Sequence, residues 1–294
     1  MIYEVFHWTE YRYSEFISLS EHTLHLLPRD MPGQQVVSSS LELWPEPTGL
    51  REYCDYFGNR MNSFIITEPH IGMHIKSGSR IRCDLRPSHP PPTQISWEVV
   101  SVRCAACECD PVALEFLYAS PYVPYLNELR EYAEPSFPSG RPIVEAVMEL
   151  NSRIHTDFAF DKTATNVSTP LSEVFRFRGG VCQDFAHLEI GCLRSLGLPA
   201  RYVSGYLRTE PPPGQQRFFG GDASHAWVSV YCLDHEWFDV DPTNDHVAGG
   251  GYLTLALGRD YGDVSLIRGT LSGGGEHSLF LSVNVEAIAE DEAG

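Results

Sequence analysis

One cysteine of the chain lies where a glycine turn is followed by a helical pattern. Residues 178–188 read Arg-Gly-Gly-Val-Cys-Gln-Asp-Phe-Ala-His-Leu, and apolar residues recur at helical spacing after Cys182. Gly197 and Pro199 then supply a stop signal. Cys182 is therefore predicted in the first turn of a helix, where unpaired backbone N–H groups and the positive end of the helix dipole favour a thiolate. Such a thiolate is a candidate nucleophile.

A histidine and a carboxylate follow in an order that suits this nucleophile. Residues 224–231 and 237–244 alternate on the two sides of a short polar turn, which predicts an antiparallel hairpin. The open ends of a hairpin are neighbours, so His225 near the start of the first strand and Asp241 near the end of the second are expected to meet. A thiol, a base and a carboxylate that orients the base are the parts of a cysteine triad. The alternative is that the cysteine is a small buried apolar residue.

The spacing leaves two choices for the carboxylate. Asp239 and Asp241 lie two residues apart, so both face the same side of a strand. Trp227 is expected to share the strand face of the histidine and to shield the imidazole from water, or else to be a plain core residue. His187, which follows Cys182 within the same predicted helix, points well away from the thiol because a helix turns by about 100° per residue. It is not expected to be the base.

Four motifs of the sequence carry a family resemblance. They are Gly-Gly-Val-Cys-Gln-Asp-Phe-Ala (179–186), Ala-Arg-Tyr-Val-Ser-Gly-Tyr (200–206), Ser-His-Ala-Trp-Val (224–228) and Trp-Phe-Asp-Val-Asp-Pro-Thr-Asn (237–244). Together they resemble the transglutaminase-like superfamily, and in particular its bacterial members regarded as cysteine proteases. The resemblance covers roughly residues 140–285. The opening segment resembles the β-rich N-terminal domain that often precedes this core in bacteria.

The resemblance assigns further roles. It favours Asp241 over Asp239 as the third catalytic residue, because Asp241 lies in the Asp-Pro-Thr-Asn motif, and it implies that Tyr206 lies near the site. Asp184 is either a residue of the cleft or a stabiliser of the helix N-terminus. The candidate catalytic residues are thus Cys182, His225 and Asp241. The supporting or substrate-cleft candidates are Tyr206, Trp227, Asp239, Asp184 and Gly180.

These residues predict a cysteine-dependent amide or peptide hydrolase. Cys182 would attack an amide carbonyl and form a thioester, while His225 would take the thiol proton and later protonate the leaving amine. A protein-glutamine transglutaminase would use the same residues with an amine in place of water, and the resemblance favours hydrolysis. The rival from another class is a non-catalytic peptide-binding module on the same fold.

Composition restricts the partners and the location. The chain contains 21 Lys plus Arg and 39 Asp plus Glu, which gives a net charge of −18. This charge argues against nucleic acid and anionic membranes as partners. The N-terminus lacks a signal region and no run approaches the roughly 18 apolar residues of a membrane span, so a cytoplasmic location is expected. The expected partner is a peptide or protein substrate, and a homo-oligomer is left open. The resemblance further implies an association with ATP-dependent peptide-forming enzymes.

No cofactor and no metal are expected. The eight cysteines are expected to be thiols, since disulfides are rare in the bacterial cytosol. Cys104, Cys107 and Cys109 form a cluster, but a zinc site needs a fourth ligand and no Cys or His pair follows at a suitable spacing. No glycine-rich phosphate loop follows a predicted strand, so nothing supports a nucleotide site.

Two domains are predicted, because 294 residues exceed one average domain. Alternating apolar residues predict strands up to residue 118, and prolines between residues 117 and 138 mark a boundary. From Ile143 the pattern is helical, and strands follow after Arg201. The predicted class is α+β. It comprises an N-terminal antiparallel β-sandwich (residues 1–120) that resembles the bacterial transglutaminase-like N-terminal domain, and a transglutaminase-like, papain-like α+β core (residues 121–290).

Overall fold

The chain begins with five antiparallel strands in which apolar and polar positions alternate. The computed structural model describes residues 1–84, 89–209 and 222–288. Along the first strand, Val5 and His7 are buried whereas Phe6 and Trp8 are exposed, as the two-residue period of a strand requires. The strands are β1 (Ile2–Leu24), β2 (Gln34–Trp44), β3 (Gly49–Cys54), β4 (Arg60–Ile66) and β5 (His70–Cys83).

Helices begin earlier in the chain than the sequence predicts. The prediction of strands up to residue 118 is wrong for the segment after residue 96, which is helical. Val100 and Cys104, four residues apart, lie buried on one side of the first helix. The second helix starts at Pro111, and the Asp110 carboxylate accepts a backbone hydrogen bond from its first turn at 2.9 Å. The helices are α1 (Trp97–Ala105) and α2 (Pro111–Leu114), followed by a 3₁₀ turn at Glu115–Leu117.

The central segment is helical and ends in the helix that carries the cysteine. The helix predicted from Ile143 is confirmed, and so is the position of Cys182 at the start of a helix. This cysteine helix is buried along most of its length and packs against three other helices and the second sheet. The segments are α3 (Asn127–Ala133), α4 (Ile143–Asp157), β6 (Ala159–Phe160), α5 (Leu171–Phe177), β7 (Gly179–Gly180) and α6 (Cys182–Ser195).

The second sheet contains the predicted hairpin. Its strands are β8 (Ala200–Leu207), β9 (Ala223–Tyr231), β10 (Trp237–Asp241), β11 (His246–Val247) and β12 (Tyr252–Gly258), and α7 (Tyr261–Val264) follows. The strand order is β11-β10-β9-β8-β12. In the antiparallel pair of β9 and β10, Val228 lies opposite Val240, which confirms the hairpin. Its open end faces the start of α6.

The last two strands return to the N-terminal sheet. β13 (Ile267–Gly273) and β14 (His277–Ile288) both pair with β1, beside the order β2-β5-β1-β4-β3. The division at residues 120 and 121 stays a prediction, and residues 289 and 290 lie outside the described residues. Two observations bear on the division. The helix α1 contributes to the core around α6, whereas β13 and β14 complete the first sheet.

The α+β class is confirmed. The predicted β-sandwich takes the form of one curled antiparallel sheet, and a separate five-stranded sheet packs against the helices. Within the three described ranges, none of the helices combines the length and the apolar character that crossing a bilayer requires.

Candidate active site

The candidate nucleophile lies at the N-terminus of α6. Val181 precedes the helix in an extended conformation, with φ −112° and ψ 178°, and Cys182 is its first residue and is partly exposed. The first N–H groups of a helix have no acceptor within the helix, so this position offers hydrogen-bond donors and a positive dipole end to an anion. The local structure therefore suits a thiolate.

Asp184 and Gly180 shape the N-terminus of α6. The buried Asp184 carboxylate accepts hydrogen bonds from the Val181 N–H at 2.8 Å and from the Thr165 hydroxyl at 2.6 Å. Burial raises the pKa of Asp184, and the two hydrogen bonds act in the opposite direction. A Cβ atom on Gly180 would lie 2.5 Å from the Asp184 carboxylate, so a larger residue there would displace it. These contacts agree with a role for Asp184 in stabilising the helix N-terminus.

The candidate base and carboxylate meet at the open end of the hairpin. His225 Nε2 and Asp241 Oδ2 are 2.7 Å apart, and both side chains are buried. Cys182 also lies close enough to His225 for its hydrogen bonding and charge to raise the pKa of that ring. Because Nε2 faces Asp241, Nδ1 is the ring nitrogen left for the thiol. The structure thus brings the three candidate catalytic residues together in the order thiol, imidazole, carboxylate.

Asp241 is fully buried and surrounded by hydrogen-bond donors. Besides His225, its Oδ2 accepts from the Asn244 side chain at 2.7 Å and from the Tyr252 hydroxyl at 2.6 Å. Its Oδ1 accepts from the backbone N–H groups of Thr243 at 2.8 Å and Asn244 at 3.2 Å. Burial raises the pKa of Asp241, but the hydrogen bond and charge of His225 outweigh burial, and the pKa is lower than usual. Asp241 is therefore ionised at neutral pH.

His225 is charged in spite of its burial. Burial lowers the pKa of His225, but the hydrogen bonds and charges of Asp241 and Cys182 act against burial and raise it to about 10. The ring is therefore an imidazolium at neutral pH. It balances the charge of Asp241 and has a proton on Nδ1 that it can donate.

Trp227 and Asp239 lie behind the histidine, on the strand face that the sequence predicts. The Trp227 ring centroid is 6.3 Å from that of His225, and the two planes are 27° apart. Its Nε1–H donates to Asp239 Oδ2 at 3.2 Å. Room for the indole comes from Gly205, where a Cβ atom would lie 2.4 Å from the Trp227 ring. Asp239 thus bonds the tryptophan, whereas Asp241 bonds the histidine.

Tyr206 does not join the other candidates. The residue opposite His225 on the neighbouring strand is Gly205, and Tyr206, one residue later, faces the other side of the sheet. Its buried ring packs in an apolar cluster that includes Val5 of the N-terminal sheet. Its hydroxyl lies 2.8 Å from His7 Nδ1. The expected place of Tyr206 near the site is therefore not observed.

Three residues that the sequence analysis does not name also belong to the site. They are Asn244, Tyr252 and His246, which bond Asp241 directly or through one another. Asn244 ends the Asp-Pro-Thr-Asn motif, so the motif is a signal that could have identified it. Tyr252 and His246 lie outside this motif and carry no such signal. Tyr252 belongs to β12, at the edge of the sheet opposite β11.

A further carboxyl group is buried close to this network. Glu189 lies seven residues after Cys182 and therefore on the same face of α6. It is inaccessible to solvent, and neither of its oxygens has a hydrogen-bond partner among the described residues. Burial, followed by the charges of Asp241 and Asp245, raises the pKa of Glu189 well above its usual value. This shift favours the protonated form of Glu189.

The cysteine cluster outside the site is a pair of neighbouring thiols and a third, exposed cysteine. Burial, followed by the interaction with nearby Cys109, raises the pKa of Cys104 to about 12. In the part of the chain that the structure describes, no group of three or more His, Cys, Asp or Glu side chains could hold a metal ion. The expectation that the protein uses no metal and no cofactor stays a prediction.

Comparison with known proteins defines the class. Residues 3–82 match the bacterial transglutaminase-like N-terminal region, and residues 130–242 match the transglutaminase-like superfamily. The chain is 40% identical to an uncharacterized protein of Mycobacterium tuberculosis strain H37Rv, over 97% of this chain and 92% of the relative. It is 30% identical to an uncharacterized protein of Mycobacterium leprae, over 97% of this chain and 98% of the relative. The chain belongs to the transglutaminase-like superfamily.

Two further similarities concern proteins whose names state an activity. The solved structure of a "Putative Cysteine Protease" of Cytophaga hutchinsonii superposes with a TM-score of 0.77 over 99% of this chain and 92% of that chain. At 21% identity, this likeness shows the shared fold. A protein-glutamine gamma-glutamyltransferase of Pseudomonas aeruginosa is 29% identical over 119 residues, which are 40% of this chain and 17% of that protein. The fold and family together indicate an enzyme of the cysteine protease or transglutaminase type.

Proposed function

We propose that the protein is a cysteine-dependent amide hydrolase that acts on peptides through a thioester acyl-enzyme. The observation that carries this proposal is the line of contacts from Cys182 through His225 to Asp241, with 2.7 Å between His225 Nε2 and Asp241 Oδ2. Family membership supports the coarser class. The triad supports the finer step, because a thiolate beside an imidazolium is the arrangement that amide cleavage needs.

Acylation begins when the Cys182 thiolate attacks the carbonyl carbon of the amide. A C–S bond forms, and the carbonyl oxygen becomes an oxyanion. Backbone N–H groups at the start of α6 are the candidate donors to this oxyanion, and one such donor is worth roughly 3 kcal/mol of transition-state stabilisation. The C–N bond then breaks while His225 gives its Nδ1 proton to the leaving amine.

Water completes the cycle in this proposal. His225, now neutral, takes a proton from a water molecule whose oxygen bonds to the acyl carbon. The C–S bond breaks, which releases a carboxylic acid and restores the thiolate beside an imidazolium. Asp241 keeps the ring oriented and stabilises its positive charge throughout, without itself accepting a proton.

Transfer to an amine is the second candidate. A primary amine in place of water would attack the same thioester and give an amide product. The similarity to a protein-glutamine gamma-glutamyltransferase over 119 residues supports this alternative. We favour hydrolysis, because water is always present at the site and transfer additionally requires its exclusion.

The substrate we propose is a peptide or protein, and an association with ATP-dependent peptide-forming enzymes is part of the same proposal. A chain with net charge −18 attracts neutral or basic peptides more readily than acidic ones. The cytoplasmic location stays a prediction.

Mass spectrometry of a peptide mixture in oxygen-18 water tests this function. The mixture contains glutamine peptides and is incubated with and without a primary amine such as cadaverine. Hydrolysis of a peptide bond gives two fragments, one of which carries oxygen-18 in its new carboxylate. Transfer gives a cadaverine adduct with loss of ammonia. We expect oxygen-18 products as the main outcome, also in the presence of the amine.

Two cysteine variants make the result specific. Cys182→Ala should abolish product formation, whereas Cys54→Ala, at an exposed cysteine of β3, should leave it unchanged. A main product that carries the amine would replace hydrolysis by transfer. Products that persist in Cys182→Ala would reject the proposed nucleophile, and a folded protein that converts none of the peptides would favour the binding module.

A further inference from the structure

A line of hydrogen bonds leads from buried Asp241 to the protein surface. The Tyr252 hydroxyl donates to Asp241 Oδ2 at 2.6 Å and lies 2.9 Å from His246 Nε2. The other ring nitrogen of this histidine, Nδ1, lies 2.9 Å from the backbone carbonyl oxygen of Asn244. Asp241 is inaccessible to solvent whereas His246 is exposed. The network therefore has one end at the candidate triad and the other in water.

The protons of this line can be counted. The Tyr252 hydroxyl has one proton, which it gives to the Asp241 carboxylate, so its oxygen can only accept from His246 Nε2. The Asn244 carbonyl oxygen can only accept, so His246 Nδ1 must also carry a proton. All contacts are satisfied together only when both ring nitrogens of His246 are protonated, which is the imidazolium form.

A neutral His246 leaves one contact unsatisfied. With its proton on Nδ1, the ring keeps Asn244 but turns a lone pair toward Tyr252, and Nε2 then competes with Asp241 for the hydroxyl proton. With its proton on Nε2, the ring keeps Tyr252 but turns a lone pair toward the Asn244 carbonyl oxygen. The first arrangement weakens a hydrogen bond to Asp241, and the second loses one at the surface.

We propose that Tyr252 and His246 are positioning residues of the triad, and that the charge of His246 decides whether the Tyr252 hydroxyl proton is held by Asp241 alone or shared with His246. This inference rests on the proposed function, because it matters only if Asp241 orients a catalytic histidine. It deepens that function by naming two residues that hold the hydrogen bonds of Asp241 in place.

Several other titratable groups surround His246. Asp241 on β10 lies opposite it in the strand pair, and Tyr252 on β12 contacts its ring. Asp245 precedes it in the chain and accepts hydrogen bonds from two residues of α4. The same helix carries His155, whose Nδ1 lies 2.9 Å from the Thr243 carbonyl oxygen. Burial raises the pKa of the α6 residue Glu189 and that of Tyr252, which favours the neutral form of both side chains.

Nitrogen-15 NMR of the histidine rings tests the proton count without reference to activity. In the wild type, both ring nitrogens of His246 should report attached protons. In Tyr252→Phe the acceptor of Nε2–H is gone, so the signal of Nε2 should change, whereas Nδ1 should keep the signal of a nitrogen that donates to the Asn244 carbonyl oxygen. The ring of His155 serves as an internal control and should keep its wild-type signals.

The pH profile of iodoacetamide alkylation at Cys182 tests the coupling to the triad. His246→Gln should change the alkylation rate from that of the wild type by roughly threefold to tenfold, which is the scale of one ordinary hydrogen bond. The matched control is His155→Gln, because His155 makes the same kind of contact to a nearby carbonyl without bonding Tyr252. It should keep the wild-type profile.

The double variant and a triad variant separate the outcomes. In the double variant, His246→Gln should cause no change in Cys182 alkylation beyond that of Tyr252→Phe, because both substitutions interrupt the same line of hydrogen bonds. Independent and additive effects, or an unchanged His246 ring in Tyr252→Phe, would overturn the inference. If His225→Ala leaves alkylation of Cys182 unchanged, the proposed function fails, and the NMR result still decides whether His246 and Tyr252 are coupled.

Discussion

Two buried histidines near α6 differ in their charge at neutral pH. His187, on the helix itself, and His225, on β9, are both almost inaccessible to solvent. Burial, assisted by the charge of Arg194, lowers the pKa of His187 to about 3. The pKa of His225 is raised to about 10, because the hydrogen bonds and charges of Asp241 and Cys182 outweigh burial. One ring is neutral at neutral pH and the other is an imidazolium.

The partners of the two rings explain the difference. His187 Nε2 accepts a hydrogen bond from the Tyr261 N–H at 3.1 Å, and its ring packs against Tyr122 and Tyr202. An aromatic surrounding with a backbone donor favours the neutral ring. His225 has a carboxylate on one side and a thiol on the other. Closeness to the cysteine in sequence therefore says less about chemistry than the presence of a carboxylate.

Asp241→Asn should have the largest effect, because it makes the surroundings of His225 resemble those of His187. Without the carboxylate, burial lowers the pKa of His225, and the ring loses the partner that fixes its tautomer. Peptide hydrolysis should fall by about 10³-fold to 10⁴-fold, as expected when the carboxylate of a triad becomes an amide. The measurement is kcat/KM on a peptide substrate, with the alkylation rate of Cys182 as a substrate-free readout.

The control for this change lies on the same strand. Asp239→Asn removes a carboxylate that bonds Trp227 and should lower kcat/KM by less than tenfold. An equal loss in both variants would contradict the assignment of Asp241.

The pH dependence of stability gives a second check of this assignment. The raised pKa of His225 contributes stability that is complete below 6.5 and lost as pH rises through about 10. This alkaline loss should be absent in Asp241→Asn.

His187→Gln should act on stability at acid pH. The folded protein binds a proton on His187 only near pH 3, whereas the unfolded chain does so near 6.5, so stability is lost as pH falls between these values. Glutamine is neutral throughout. The variant should lose about 1 to 2 kcal/mol near neutral pH, because the ring contacts are gone, and this deficit should shrink on acidification.

Urea unfolding across this pH range measures the difference. His7 and His22, whose pKa values burial lowers to about 4, should keep part of the acid loss in the variant. The exposed residue His155, changed to Gln, is the control and should show the wild-type pH dependence. A deficit of His187→Gln that stays constant with pH would contradict a neutral, buried His187.

Glu189→Gln tests how the buried carboxyl group of Glu189, on α6, affects stability. Its raised pKa means that the folded protein keeps a proton which the unfolded chain loses above about 4.5, so wild-type stability is lost as pH rises beyond this value. Glutamine needs no proton. The variant should therefore gain stability relative to wild type by up to about 1.4 kcal/mol per pH unit above 4.5. Glu145→Gln, at an exposed position of α4, should gain nothing.

Local signals predict one part of the site well. A glycine turn followed by helical spacing places Cys182 at a helix start, and alternation around a polar turn makes the ends of β9 and β10 neighbours. Both depend on residues close together in sequence. The choice between Asp239 and Asp241 exceeds what spacing can decide, because both face one side of the strand. Resemblance favours Asp241, and the structure brings its carboxylate to His225.

Contacts between distant segments account for what the sequence does not predict. Tyr252 reaches Asp241 from another strand, and the pairing of β14 with β1 joins the two ends of the chain. Neither leaves a periodic pattern. Tyr206 illustrates the same limit, because alternation cannot say which side of β8 faces the site. The side chain turns to His7 of the N-terminal sheet.

Trp227→Phe should have the smallest effect and sharpens the comparison from the side of packing. The indole stacks against His225 and bonds Asp239. It is not among the groups whose hydrogen bonds and charges raise the pKa of His225. Phenylalanine keeps most of the apolar contact with Tyr252 and loses one hydrogen bond, so stability should fall by about 1 kcal/mol and kcat/KM by less than tenfold.

Trp237→Phe, at a tryptophan of β10 that stacks on Arg201, is the matched control and should leave the pH profile of Cys182 alkylation unchanged. The same profile should also survive in Trp227→Phe, because Asp241 and not the indole raises the pKa of His225. A shifted profile in that variant alone would mean that exclusion of water by Trp227 contributes to the charge of His225, and that its difference from His187 rests on packing as well as on the carboxylate.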